Sequence, residues 1–220
     1  NLPRMARETH GTRGTPQCGE CHRTRNRFAQ TSNHFACNLL GLSSIYNVYP
    51  SHFKKYLIRK LFYSEVIRNT DHGFLNEGST SYHRFTAEIY MSTYMMLGLN
   101  GNLSSNPIVK ILEEMSRTVL ALENPLGLHT QFGDSDGGFL NWITVPYSKA
   151  LGVYTPYCVE NFLVFSEFFF NYVSVDATLA IDKGFSSYAN GGILIYRDSN
   201  IYLALNNITP SKNVYNKTHF

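Results

Sequence analysis

The sequence predicts a mainly α chain that turns to β near its end, and three observations carry that expectation. Apolar residues recur at three- and four-residue steps through the middle of the chain, capping residues precede the periodic runs, and after Val175 the period falls to two. Of 220 residues, 43% are hydrophobic and 16% charged, which suits a sizeable core and leaves few charges for the surface.

Residues 1 to about 30 are polar and basic, with Arg4, Arg7, Arg13, Arg23, Arg25 and Arg27 against Glu8 and Glu20, and read as a loop or tail. From Thr31, Phe35, Leu39 and Leu42 with Ala36 and Leu40 form one apolar face, and Ser32 or Asn33 serves as N-cap. Ser51 opens a second helix through Phe53, Leu57 and Leu61 that ends near Asn69. A third runs from about Ser79 to Leu97 on Phe85, Ile89 and Met96 with Thr86 and Thr93, and Gly98 closes it. Asn106-Pro107 places a cap before a proline at the first helical position, and Ile108, Ile111, Leu112, Met115, Val119 and Leu122 carry a fourth helix to Asn124-Pro125. Thr155-Pro156 repeats that start for a fifth helix through Phe162, Phe165, Phe169 and Val173. The helices follow one another in antiparallel succession. Beyond them Ile193 and Ile195 alternate with Leu194 and Tyr196, and Ile201, Leu203 and Leu205 answer across the turn Asp198-Ser199-Asn200. The expected divisions are a tail at 1–30, helices at 31–174 and the start of a sheet region at 175–220.

Composition narrows the function classes. A net charge of +3 does not predict nucleic-acid binding, and no apolar run is long enough to span a bilayer. Four cysteines in a chain this long make no disulfide framework. Cys18-Gly19-Glu20-Cys21-His22 spells the C-x-x-C-H pattern of c-type haem attachment, or half a zinc site. The segment is too polar to supply a haem pocket and no second Cys/His pair follows at zinc spacing, so the cysteines read as thiols in a tail, with a c-type haem protein as the remote alternative.

The densest polar chemistry lies in Asn76-Glu77-Gly78-Ser79-Thr80-Ser81-Tyr82-His83-Arg84-Phe85, at the start of the third helix. There the unpaired N–H groups and the positive end of the helix dipole favour an anion or a developing negative charge. A phenol in that field ionises more readily than its ordinary pKa of about 10 implies. The same window also fits Tyr82 and Phe85 as core aromatics behind a Ser79 cap. Asn33-His34 opens another helix, Gly133-Asp134-Ser135-Asp136-Gly137-Gly138 is a turn-rich acidic loop, and His219 follows the hairpin.

In this order the pieces resemble the heparinase II/III family of polysaccharide lyases and lyase-like proteins. The matching segments are Asn33-His34-Phe35-Ala36 with Leu39-Leu40-Gly41-Leu42, Asp71-His72-Gly73-Phe74-Leu75 running on to Arg84, the Phe132–Gly138 loop, and Gly191-Gly192-Ile193-Leu194-Ile195-Tyr196-Arg197. The resemblance implies part of an incomplete α/α toroid followed by the first strands of a β-sandwich. It implies β-elimination at a uronic acid, with an acidic polysaccharide as partner and a periplasmic or secreted location. Asn33 would then meet the sugar carboxylate with His34 beside it, Tyr82 would act as base, acid or both, and His219 would be a second proton-transfer group. Glu77, His83 and Arg84 would orient Tyr82 or hold substrate. No cofactor is expected in this chain, since any zinc of the family's sheet domain would need residues absent here. A protein that keeps the fold and binds glycan without cleaving it is the alternative within the resemblance.

Overall fold

The computed structural model describes residues 32–71, 73–76, 78–99, 106–133, 159–174, 183–188 and 192–206. The chain divides into two units, Asn1–Gln30 and Thr31–Phe220, and every described residue belongs to the second. That unit is mainly helical: α1 (Ser32–Val48), α2 (His52–Asn69), α3 (Thr80–Met96), α4 (Pro107–Ala121) and α5 (Val159–Tyr172). Two short strands, β1 (Thr70–Asp71) and β2 (Phe74–Leu75), form a hairpin between α2 and α3. β3 (Gly184–Tyr188), β4 (Ile193–Arg197) and β5 (Tyr202–Asn206) make a separate antiparallel sheet in that order.

Helix α3 is the centre. Its residues are buried on nearly every side, and α1, α4 and α5 all pack against it. Phe62 of α2 meets the edges of Tyr90 and Tyr94, and Tyr94 in turn meets Phe169 of α5 with ring centroids 5.7 Å apart. Asn106 joins three helices: its Oδ1 accepts from Ile108 N as the cap of α4, while its Nδ2 donates to the hydroxyls of Tyr63 and Tyr94. The Asn-Pro start expected for α4 is therefore observed, with Pro107 at the first helical position.

The faces expected for α4 and α5 are the buried ones, through Ile108, Leu112, Met115 and Val119, and through Phe162, Phe165 and Phe169. The start expected for α5 at Thr155-Pro156 lies outside the described residues. For α2 the expected face is turned outward: Phe53 is 75% exposed and Leu57 47%, whereas Ile58, Phe62, Glu65 and Val66 are buried. Helix α2 is apolar on two sides, and the side carrying Phe62 and Val66 fits the aromatic core while the other does not. Ser51 stands at its N-cap without a side-chain hydrogen bond.

The sheet shows a comparable shift of face. Ile193 and Ile195 are buried against Phe74, Ala121 and Leu122, as the alternation suggests. Their partners are Asn206 and Ala204, and Arg197 pairs with Tyr202. Residues directly opposite share a face, so Tyr202 and Ala204 turn inward and Ile201, Leu203 and Leu205 are exposed. β3 carries no apolar alternation in Gly-Phe-Ser-Ser-Tyr and was not among the expected strands.

Helix directions follow from end contacts. Asn47 near the end of α1 donates to the Met96 sulfur at the end of α3 at 3.4 Å, and the two helices pack along one another, so they run parallel. Met115 and Thr118 of α4 reach back to His83 and Gly73, so α4 is antiparallel to α3. One end of the helical layer thereby collects the starts of α1 and α3, the end of α4 and the β1–β2 hairpin. Among the described residues no helix is long and apolar enough to cross a membrane.

Gly73 turns this hairpin at φ +71°, and a Cβ there would stand 2.7 Å from Glu114 Cβ and 2.9 Å from the Glu114 backbone carbon. Gly73→Ala is expected to lower unfolding stability by about 2–4 kcal/mol. Gly41 lies in α1 with nothing within 4 Å of such a Cβ, and Gly41→Ala is expected to gain about 0.5–1 kcal/mol. Urea titrations of both variants check the contrast, and equal effects at the two glycines would contradict the packing described.

Candidate functional site

The first turn of α3 is laced to the chain that follows α4. Thr80 N donates to Phe132 O at 3.0 Å, Thr80 Oγ1 donates to Thr130 O at 2.9 Å, and Phe132 N donates back to Thr80 Oγ1 at 2.9 Å. Gly133 follows at φ +74°, where a Cβ would come within 3.2 Å of Ser79 Cα, so only glycine brings the chain this close. Ser79 is the N-cap, its side chain accepting from Tyr82 N at 3.2 Å. The helix start was expected to hold its N–H groups open for an anion. Those of Thr80 and Tyr82 are instead spent on Phe132 O and Ser79 Oγ, which leaves the dipole as the local positive field.

Tyr82 is half-buried, and Asn33 and Tyr82 are brought to the same end of two packed helices. Fourteen residues separate Asn33 from Asn47 and fourteen separate Tyr82 from Met96. That is just under four turns, or about 21 Å of rise, so each residue returns to nearly the face that makes the Asn47–Met96 contact. Packed helix axes lie about 8–10 Å apart. Asn33 Oδ1 accepts from His34 N at 2.7 Å, which fixes the rotation of the amide, and His34 is exposed beside it.

His83 has a different task from the expected orientation of Tyr82. Its Nδ1 accepts from Leu75 N at 3.2 Å, its Nε2 donates to Met115 O at 3.2 Å, and its ring stacks on Phe74 at 4.7 Å. Both nitrogens are thus committed to binding β2 and α4, and burial pushes its pKa down to about 4 against the lesser opposing effect of the Met115 carbonyl. Arg84, expected to hold substrate or orient Tyr82, is buried, with Nε 3.9 Å from Glu88 Oε1 of a buried carboxylate. Glu77, His219, Asp134 and Asp136, together with Cys18, Cys21 and His22, lie outside the described residues.

The fold adds His129, which nothing in the sequence singled out. It is 3% exposed, and burial first, then the charges of Arg84 and His83, push its pKa well below the ordinary range. Gln131 Nε2 lies 3.2 Å from its Nδ1. An amide nitrogen only donates, so Nδ1 accepts and the proton of the neutral ring sits on Nε2. That Nε2 is buried and finds no hydrogen-bond partner among the described residues. Next to it Thr130 Oγ1 meets the Tyr202 hydroxyl at 2.6 Å, while Arg197 donates to the carbonyls of Ala121 and Glu123, so the sheet is fastened at this same end of the layer.

Among the described residues no group of three or more His, Cys, Asp or Glu is arranged to hold a metal ion. Compared with family models, curated proteins and solved structures, the chain matches none.

Thr80→Val keeps the shape of the side chain and strands Phe132 N and Thr130 O; it is expected to cost about 1–3 kcal/mol of stability, with amide exchange quickening at residues 130–132. An unchanged exchange pattern would rule out the lacing. The histidines set a pH window. In the unfolded chain both titrate near 6.5, while folded His83 stays neutral down to about 4. The stabilisation that His83 contributes is therefore complete above pH 6.5 and is lost as pH falls toward 4, by up to about 1.4 kcal/mol per pH unit, and the lowered His129 acts in the same direction. His83→Gln is expected to be less stable than the parent at pH 7, with the gap narrowing by pH 5; parallel stability curves would refute the assignment.

Proposed function

We propose that the folded unit is lyase-like and acts on an acidic polysaccharide by β-elimination at a uronic acid, its helices forming part of an incomplete α/α toroid. The observation that supports this reading most is the common register of α1 and α3, which sets Asn33 and Tyr82 level at one end of parallel neighbours. An amide donor on one helix and a phenol on the next suit a sugar ring lying between them.

The chemistry asks for three things. The carboxylate must be neutralised so that the C5 proton becomes acidic, a base must remove it, and the departing O4 must receive a proton. In this reading Asn33 donates to the carboxylate with His34 alongside, and the Tyr82 phenolate takes the C5 proton. The C5–H electron pair forms the C4–C5 double bond as the C4–O4 bond breaks. O4 leaves with a proton from the tyrosine or from His219. Glu77 belongs to the supporting groups, and the positive end of α3 favours the phenolate.

The test is to incubate the chain with uronic-acid polymers and follow the ultraviolet absorbance of the unsaturated product. Activity is expected to fall by about 10²–10⁴-fold in Tyr82→Phe and by about 10²-fold in Asn33→Ala, with circular dichroism unchanged. Full activity in Tyr82→Phe would remove it from the mechanism. Polymer binding without any product would favour the non-catalytic glycan-binding alternative.

A further inference from the structure

Helix α2 carries Lys54, Lys55, Arg59, Lys60 and Arg68, and its one carboxylate, Glu65, is buried and paired with Arg68 at 3.0 Å. The helix therefore bears a formal charge of +4 where the whole chain bears +3, so the rest of the protein is net acidic. This charge lies among exposed apolar side chains: Phe53 and Tyr56 are 75% and 60% exposed, Tyr49 just before the helix is 71% exposed, and Leu57, Leu61 and Ile67 are exposed beside them. Cations stand over three rings of the α1–α2 hairpin, Lys55 over Tyr46, Lys60 over Tyr56 and Arg59 over Tyr63, at 5.5–5.6 Å from their centroids.

We infer that the outer face of α2 is a second binding surface for an acidic glycan chain, in which Phe53 and Tyr56 stack on sugar rings while Lys54, Arg59 and Lys60 pair with carboxylates. The identity of the glycan rests on the function proposed above; the surface itself rests on this charge and ring pattern. Two other occupants fit less well. A bilayer needs an apolar stripe free of charge, but around the helix Lys60 falls between Phe53 and Ile67. A second copy would set two faces of like charge against each other. A polyanion with alternating apolar ring faces and carboxylates meets cations and rings that are interspersed.

The surface begins at the end of the layer away from Asn33 and Tyr82, so its variants leave those residues untouched. The experiment measures affinity of the chain for polygalacturonate beside neutral dextran, phosphatidylserine vesicles and single-stranded DNA. Polygalacturonate is expected to bind with a steep salt dependence and dextran not to bind. Lys54→Glu with Lys60→Glu is expected to weaken binding at least about tenfold. Tyr56→Ala should weaken it less. Unchanged affinity in the charge-reversed variant, equal binding of dextran, or tighter binding of vesicles or DNA than of polygalacturonate would each overturn the inference. Failure of the lyase reading shows separately, as normal polymer binding by the parent with no unsaturated product.

Discussion

The burial of α3 on nearly all sides is the constraint on which the rest depends. A helix enclosed by α1, α4, α5 and the β1–β2 hairpin leaves its polar side chains to find partners within the protein, and most do, with Thr86 Oγ1 an exception among the described residues. Thr93 turns its hydroxyl back to Ile89 O, His83 bridges Leu75 and Met115, and Thr80 binds the backbone of residues 130–132. These bonds also determine where the neighbouring segments sit. The polar first turn of α3 is thus a structural junction before it is anything chemical, and whatever Tyr82 does is done from a fixed base.

The same economy explains why the sheet lies where it does. Helix α4 ends with carbonyls that its own turns cannot satisfy, and the Arg197 guanidinium of β4 reaches those of Ala121 and Glu123 while lying over the Tyr202 ring at 5.1 Å. Tyr202 adds a hydrogen bond to Leu122 O. Strand residues thereby finish a helix, and the small core of Phe74, Leu122, Ile193 and Ile195 closes over the join. Arg197 also opposes the upward pull of burial on the Glu123 carboxyl.

Where one apolar stripe outweighs any other the buried side was legible in the sequence, and where two are comparable it was not. α4 carries a single stripe that meets the core as expected, helped by the Asn-Pro start, and in α5 the richer stripe of Phe162, Phe165 and Phe169 is buried while Val164, Phe168 and Tyr172 on another side stay exposed. α2 offers two stripes, and the choice between Phe53-Leu57-Leu61 and Ile58-Phe62-Val66 is made by Tyr90 and Tyr94, which are distant in sequence. β5 poses the same ambiguity, settled by pairing with β4. At the candidate site, the Ser79 cap was readable because its signal is local. His83 read as chemical because it stands beside a tyrosine, although its partners Leu75 and Met115 make it a tie between segments. His129 had no local signal, since only the return of the chain after α4 sets it near Arg84.

The parallel pairing of α1 and α3 also makes the first of them a lever arm. The Asn47–Met96 contact lies about 21 Å along the helices from the level of Asn33 and Tyr82. A tilt of α1 by roughly 10° about that far contact would swing its opposite tip by about 3–4 Å. What resists that swing is Ala36 and Leu39, buried in the core within two turns of Asn33, so the spacing of the two helix starts is held from inside the helical layer and not by the exposed far contact.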